Sequence, residues 1–187
     1  STVINNVIIY GVPIVINDNS TDKTLNILSN IKKKILFHTN KKNLGYEKSL
    51  QTGFEIAEKN KFEFVVTIDA DNQFDHKDIE RLITESHFSD IVVAEREKLQ
   101  RLGEYIFSFF FNYLFHIKDP LSGLKLYKMK IFQQNNNIFD SKNLIGTELL
   151  IKALKKKCKI STIKVKTIKR LDSSRYGSSL QSNIKIM

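Results

Sequence analysis

Residues 65–75 read Val-Val-Thr-Ile-Asp-Ala-Asp-Asn-Gln-Phe-Asp, an apolar run that stops at two carboxylates, Asp69 and Asp71. Side chains alternate along an extended chain, so a spacing of two puts both acids on one side. A strand ending in such a pair presents negative charge at the carboxyl edge of a sheet. In open α/β sheets that edge is where ligands bind. Two hard oxygen donors there suit Mg2+ or Mn2+ held against a diphosphate. The same residues also suit an ordinary solvated turn.

The rest of the chain alternates strand and helix patterns. Residues 2–10 have the helical spacing of Val3, Ile4, Val7 and Ile8, and residues 13–16 form a short apolar strand. A polar turn follows over 17–22, where Ser20 or Thr21 caps a helix carrying Leu25, Ile27 and Leu28. Residues 34–38 are the next strand. Asn43-Leu44-Gly45 is a turn before a helix through Leu50, Phe54, Ile56 and Ala57. Strands are predicted at 62–68 and 91–94, a helix at 78–85, and a later helix opened by Glu148. This order implies an α/β fold, a Rossmann-like, mainly parallel sheet flanked by helices.

At 187 residues with 41% apolar side chains, the chain suits a single domain with a real core. One cysteine, Cys158, cannot form an internal disulfide and points to a reducing compartment. The sequence opens without a signal-peptide pattern, and no apolar run reaches the ~20 residues of a membrane span. The net charge of +10 favours anionic partners, although a chain rich in Lys, Asn and Ile throughout also reaches it by drift. No zinc-finger spacing or aromatic RNA-binding strand is present, so nucleic acid is not an expected partner.

From Arg101 to Ile117 the chain is unusually aromatic. As a helix it is about 25 Å long, too short to span a bilayer. Arg101, Ser108 and Asn112 share one face by spacing. The helix is either buried in the core or placed at a greasy acceptor site or membrane interface.

Four local patterns stand in order: Val15-Ile16-Asn17-Asp18-Asn19-Ser20-Thr21-Asp22, Asn43-Leu44-Gly45, Asp69-Ala70-Asp71-Asn72-Gln73 and Asp119-Pro120-Leu121-Ser122-Gly123-Leu124-Lys125. Together they resemble the inverting family 2 glycosyltransferases of the GT-A (nucleotide-diphospho-sugar transferase) fold. Within that family they look most like the polyprenyl-phosphate sugar synthases of the dolichol-phosphate mannose synthase type. The resemblance spans roughly residues 3–179. It implies a nucleotide-binding part over about 1–75 and an acceptor part over about 90–187.

The resemblance also implies roles. Asp18, Asn43 and Gly45 would bind the nucleoside, Asp18 by accepting base N–H groups and Gly45 by close backbone approach. Asp69, Asp71 and Gln73 would hold Mg2+ or Mn2+ on the diphosphate of a nucleoside-diphosphate sugar. Arg96 and Arg101 would hold the phosphate of a polyprenyl acceptor, Arg being suited by its planar charged fork. Ser108 would add a hydroxyl, and Ser122 and Lys125 would line the sugar and acceptor pocket. Asp119 would act as base or as acceptor of a sugar hydroxyl. In the basic tail, Lys169, Arg170 or Arg175 would close over the diphosphate. The expected setting is cytoplasmic, peripheral at the inner face of the membrane.

There are departures. The family opens with a strand and a Pro-x-Tyr-Asn-Glu segment, whereas this sequence starts at what reads as the following helix. Asn17 replaces the first Asp of the usual pair, and Ser173 stands where Gly is usual in the tail. Other readings are a glycosyltransferase extending a surface polysaccharide or lipid-linked glycan, and an inactive nucleotide-sugar-binding paralogue. A nucleotidyltransferase is disfavoured, because no Gly-rich basic phosphate loop stands near the amino end.

Overall fold

The computed structural model describes residues 2–31, 35–99, 101–135 and 146–168. Helices α1 (Thr2–Val7), α2 (Thr24–Ile31), α3 (Tyr46–Lys59), α4 (Asp78–Glu85), α5 (Leu102–Phe115), α6 (Met129–Gln133) and α7 (Glu148–Lys155) alternate with strands β1 (Ile14–Asn17), β2 (Leu36–Thr39), β3 (Phe64–Thr67), β4 (Ile91–Arg96), β5 (Lys125–Lys128) and β6 (Ile160–Val165). The strands form two sheets, β1-β2 and β3-β5-β4-β6. β1 runs parallel to β2, and β4 parallel to β6. β5 runs antiparallel to both neighbours, so β3, β4 and β6 share one direction and β5 alone opposes them. Among the described residues, β1 and β3 are each paired along one edge only.

The uninterrupted apolar run of β4 is explained by its neighbours. Ile91 and Val93 face a cluster built with Phe54, Ala57, Ile131, Phe132 and Leu150. Val92 and Ala94 face the opposite cluster with Ile79, Leu82, Leu126 and Val165. A strand covered on both faces has no polar side to alternate with. α3 supplies one layer through Leu50, Phe54 and Ala57, at the four- and three-residue steps of one helix face. Phe54 stacks on Phe132 at a centroid distance of 5.2 Å and meets Tyr127 edge-on at 5.6 Å.

Local signals differ from expectation in two places. Neither Ser20 nor Thr21 caps α2. Asp22 Oδ1 accepts the Thr24 amide at 2.9 Å instead. Arg101 lies outside α5 as its extended N-cap residue (φ −130°), so it does not share a helical face with Ser108 and Asn112.

β5 decides what the sheet edge contains. Its register sets Lys125 opposite Thr67 of β3 and Val93 of β4. Because β5 runs against them, its leading residues lie at the edge where β3 and β4 end. Leu126 sits between Val66 and Val92 and is fully buried. Leu126→Ala is expected to cost about 2–5 kcal/mol by loss of apolar contact and cavity formation, read as a lower urea midpoint at unchanged slope.

Candidate active site

The end of β1 anchors the loop that starts α3. Asp18 Oδ1 accepts the Leu44 amide and the Asn40 side-chain amide, each at 2.8 Å, and Oδ2 accepts the Gly45 amide at 2.8 Å. Burial disfavours this charge, but hydrogen bonds from Leu44, Asn40, Gly45 and Ser49 outweigh it and hold the carboxyl below its usual range. Asn43 Nδ2 donates to the Asp18 carbonyl at 3.4 Å. Asp18 was expected to receive a nucleobase, yet both its oxygens already serve the chain. Gly45 has φ +87°, and a Cβ there would meet nothing within 4 Å. The positive φ of the turn that opens α3 favours glycine here, and the space in front of it is open.

β3 ends at Thr67, and residues 70–72 turn, with Asn72 at φ 60°. The expected extended alternation over Asp69, Asp71 and Gln73 is therefore absent. Asp71 Oδ1 accepts the Gln73 amide at 3.1 Å. Gln73, expected as a metal ligand, is buried, and its Nε2 has no hydrogen-bond partner. Asp69 lies over the backbone of Gly123, where an added Cβ would fall 2.1 Å from Oδ2. The Tyr46 hydroxyl donates to Asp69 Oδ1 at 3.3 Å.

Beside Asp69 is a buried ionic chain. Arg96 Nε donates to Asp119 Oδ2 at 2.7 Å and its Nη2 to Oδ1 at 2.9 Å, while the Arg96 amide reaches Oδ2 at 3.1 Å. Arg96 Nη2 also reaches Glu104 Oε2 at 3.3 Å, and Glu104 Oε1 lies 3.8 Å from Arg101 Nη1. Burial opposes the Arg96 charge, but Asp119, then Glu104 and Asp69, raise its pKa above arginine's ordinary value. Arg96 was expected to hold an acceptor phosphate; its fork is committed to Asp119. Two further expectations change. Ser108 donates to the Lys118 carbonyl, and Ser122, inside the Asp119–Leu124 turn, accepts the Leu124 amide at 3.3 Å instead of lining a pocket.

Lys125 is the inner cation of the cluster. Full burial lowers its pKa to about 8, against the attraction of Asp119, Asp69 and Glu47. Its Nζ donates to the Gly146 carbonyl at 3.3 Å, while Glu47 accepts the Gly146 amide. Glu47 Oε2 is buried without a partner, and burial, opposed by that amide, raises the Glu47 pKa. Gly146 has φ +68° and lies against Tyr46, whose Cε1 would stand 2.9 Å from a Cβ there. Tyr46, Glu47 and Gly146 were not singled out from the sequence. Lys169, Arg170 and Arg175 lie outside the described residues.

Asp69, Asp119, Arg96 and Lys125 thus meet at one sheet edge, with Asp71 on the adjoining turn. Among the described residues no group of three or more His, Cys, Asp or Glu side chains converges as a metal centre. Two carboxylates still fit a Mg2+ or Mn2+ ion that takes its remaining ligands from phosphate and water.

Residues 13–134 match the domain described as glycosyl transferase family 2. The chain belongs to this family. Family members are glycosyltransferases, which are enzymes. The uncharacterized protein MJ1222 of Methanocaldococcus jannaschii is 25% identical over 190 residues, covering 93% of this chain and 77% of that protein. The fold is similar to glucosyl-3-phosphoglycerate synthase from Mycobacterium tuberculosis, solved with Mn2+, UDP-glucose and phosphoglyceric acid (TM-score 0.70, 16% identity, 99% of this chain and 72% of that one). It is also similar to Staphylococcus aureus TarS 1–349 with UDP-GlcNAc (TM-score 0.58, 17% identity, 91% and 53%). The chain therefore spans about half of TarS 1–349 and about seven-tenths of the synthase.

Two outcomes follow from the packing. Gly123→Ala is expected to cost about 1–3 kcal/mol by overlap with Asp69. In a double-mutant cycle with Asp69→Gly, most of that cost should vanish; an unchanged cost would remove Asp69 from the contact. Lys125 has a folded pKa near 8 against 10.5 for the exposed group. Between those values the unfolded chain binds more protons, so this group makes stability rise with pH, by up to about 1.4 kcal/mol per unit. Buried Tyr127, whose pKa is raised, acts in the opposite sense above about pH 10. The rise should thus appear between about pH 8 and 10 in urea unfolding, and Lys125→Met should flatten it.

Proposed function

We propose that this chain transfers a sugar, with inversion, from a nucleoside-diphosphate sugar to a polyprenyl phosphate. The observation that carries the reading is the convergence of Asp69, Gly123, Lys125 and the Arg96–Asp119 pair at the sheet edge. The solved relatives with UDP-sugars support a nucleotide-sugar donor, and the Mn2+ in one of them supports a divalent cation. Asp69 and Asp71 would hold Mg2+ or Mn2+, which when bound offsets charge on the departing diphosphate.

The chain's own residues set the geometry. Asp18 fixes the 40–45 loop, and Tyr46 at its end fixes one oxygen of Asp69. Gly123 leaves room for that carboxylate. In the transfer, a phosphate oxygen bonds to the anomeric carbon as its bond to the diphosphate oxygen breaks, and the nucleoside diphosphate leaves with the electron pair. A phosphate acceptor is already ionised near neutral pH and needs no strong base. Asp119 supports this choice over a hydroxyl acceptor, because both its oxygens already accept from Arg96. Arg96 then acts as a positioning residue for Asp119, and Arg101 is the guanidinium assigned to the acceptor phosphate.

Calorimetric titration with a panel of nucleoside-diphosphate sugars should give one donor whose binding needs Mn2+ and is lost with chelator. With that donor and a short polyprenyl phosphate, transfer should fall by about 100-fold or more in Asp71→Ala. The corresponding prenol should not be used. Equal use of prenol and phosphate would overturn the acceptor assignment, and an undiminished Asp71→Ala rate would overturn the metal assignment.

A further inference from the structure

Helix α5 turns its aromatic side outward. Leu102, Tyr105, Phe109, Phe110, Tyr113 and Leu114 are between 53% and 77% exposed. They recur at three- and four-residue steps, so they form one stripe along the helix. No charged side chain occurs from Tyr105 to Phe115. A continuous exposed apolar stripe of this kind, unlike scattered single apolar side chains, marks an interaction surface. The inward face is different: Gly103, Glu104 and Phe111 are buried, and Glu104 joins Arg96 and Arg101.

We propose that the outward face of α5 docks the chain on an anionic lipid bilayer, lying in the plane of the interface. Among the described residues no helix is long and apolar enough to cross a membrane, so this helix would lie flat. Exposed Lys98 and Lys118 flank its two ends, at the level where headgroups would stand. Tyr105 and Tyr113 carry the ring-plus-hydroxyl chemistry that concentrates at membrane–water boundaries. A net charge of +10 favours an anionic surface and opposes packing against a second, equally charged copy. Glu104 on the reverse of the helix places the Arg96–Asp119 cluster directly behind the docked face. The proposal goes beyond the transfer reaction and is tested without it.

The full chain should be sedimented with large unilamellar vesicles of phosphatidylcholine, with and without 30% phosphatidylglycerol, at low and physiological salt. Stronger binding to the anionic vesicles, weakened by salt, is expected. Phe109→Ser with Tyr113→Ser should lower the partition coefficient by at least about 10-fold without lowering the unfolding midpoint, since both side chains are exposed. Lys98→Glu with Lys118→Glu should remove the preference for anionic lipid. Failure of the unaltered chain to bind either vesicle would overturn the proposal, as would full binding by the Phe109/Tyr113 variant. A dimer in light scattering that the same variant converts to monomer would assign the face to a second copy and overturn it too.

Discussion

The fork between Arg96 and Asp119 ties the end of β4 to the turn that leads into β5. Arg96 ends β4, Asp119 opens the turn into β5, and α5 spans the sequence between them. Two nearly parallel donor contacts, at 2.7 and 2.9 Å, fix direction as well as distance. The pair is buried, so its attraction must offset the loss of hydration of both ions. Neighbouring charges act on it: Glu104 and Asp69 attract Arg96, while Lys125 attracts Asp119 and repels Arg96. Such pairs are weak evidence for stability but strong evidence for register. If Asp119 moved by one residue, Gly123 would no longer lie under Asp69.

Strand direction explains why these residues meet. In a sheet of uniformly parallel strands, only residues that follow strands reach the carboxyl edge. β5 runs the other way, so residues 119–125, which precede and begin a strand, reach the same edge as Asp69 and Arg96. One antiparallel strand thereby doubles the set of chain segments available at the site. The clamp on Gly146 adds a third segment, tied to Glu47 of α3 and to Lys125 of β5.

Most of the layout was legible in the sequence because it rests on local pattern. The three apolar residues that begin β1 and β3, the spacing of Leu50, Phe54 and Ala57, and the whole of α4 follow from periodicity and burial. β5 and β6 were missed. Lys125-Leu-Tyr-Lys reads as polar at both ends, and its Lys125 is buried only because acidic side chains from elsewhere surround it. The surroundings of Asp18 and Gln73 were not legible for a related reason. Alternation assumes an extended chain, and Asn72 in the left-handed region ends that assumption between Asp71 and Gln73. Asp18 carries the expected charge, but its partners lie 22 to 27 residues away, which no local pattern reveals. Glu104 did leave a signal: a single acid in a run of aromatic residues is costly unless it is paired.

That single acid gives α5 its two-sided character. An aromatic helix without Glu104 would have no reason to present one particular face inward, since nearly every position is apolar. Pairing with Arg96 and Arg101 fixes its rotation: Phe111 turns in with Glu104, and Tyr105, Phe109, Phe110 and Tyr113 turn out. The exposed stripe is therefore a consequence of how the ionic cluster is built, not an independent feature of the surface. Glu104 thus joins the helix that carries the outward stripe to the Arg96 fork that holds Asp119.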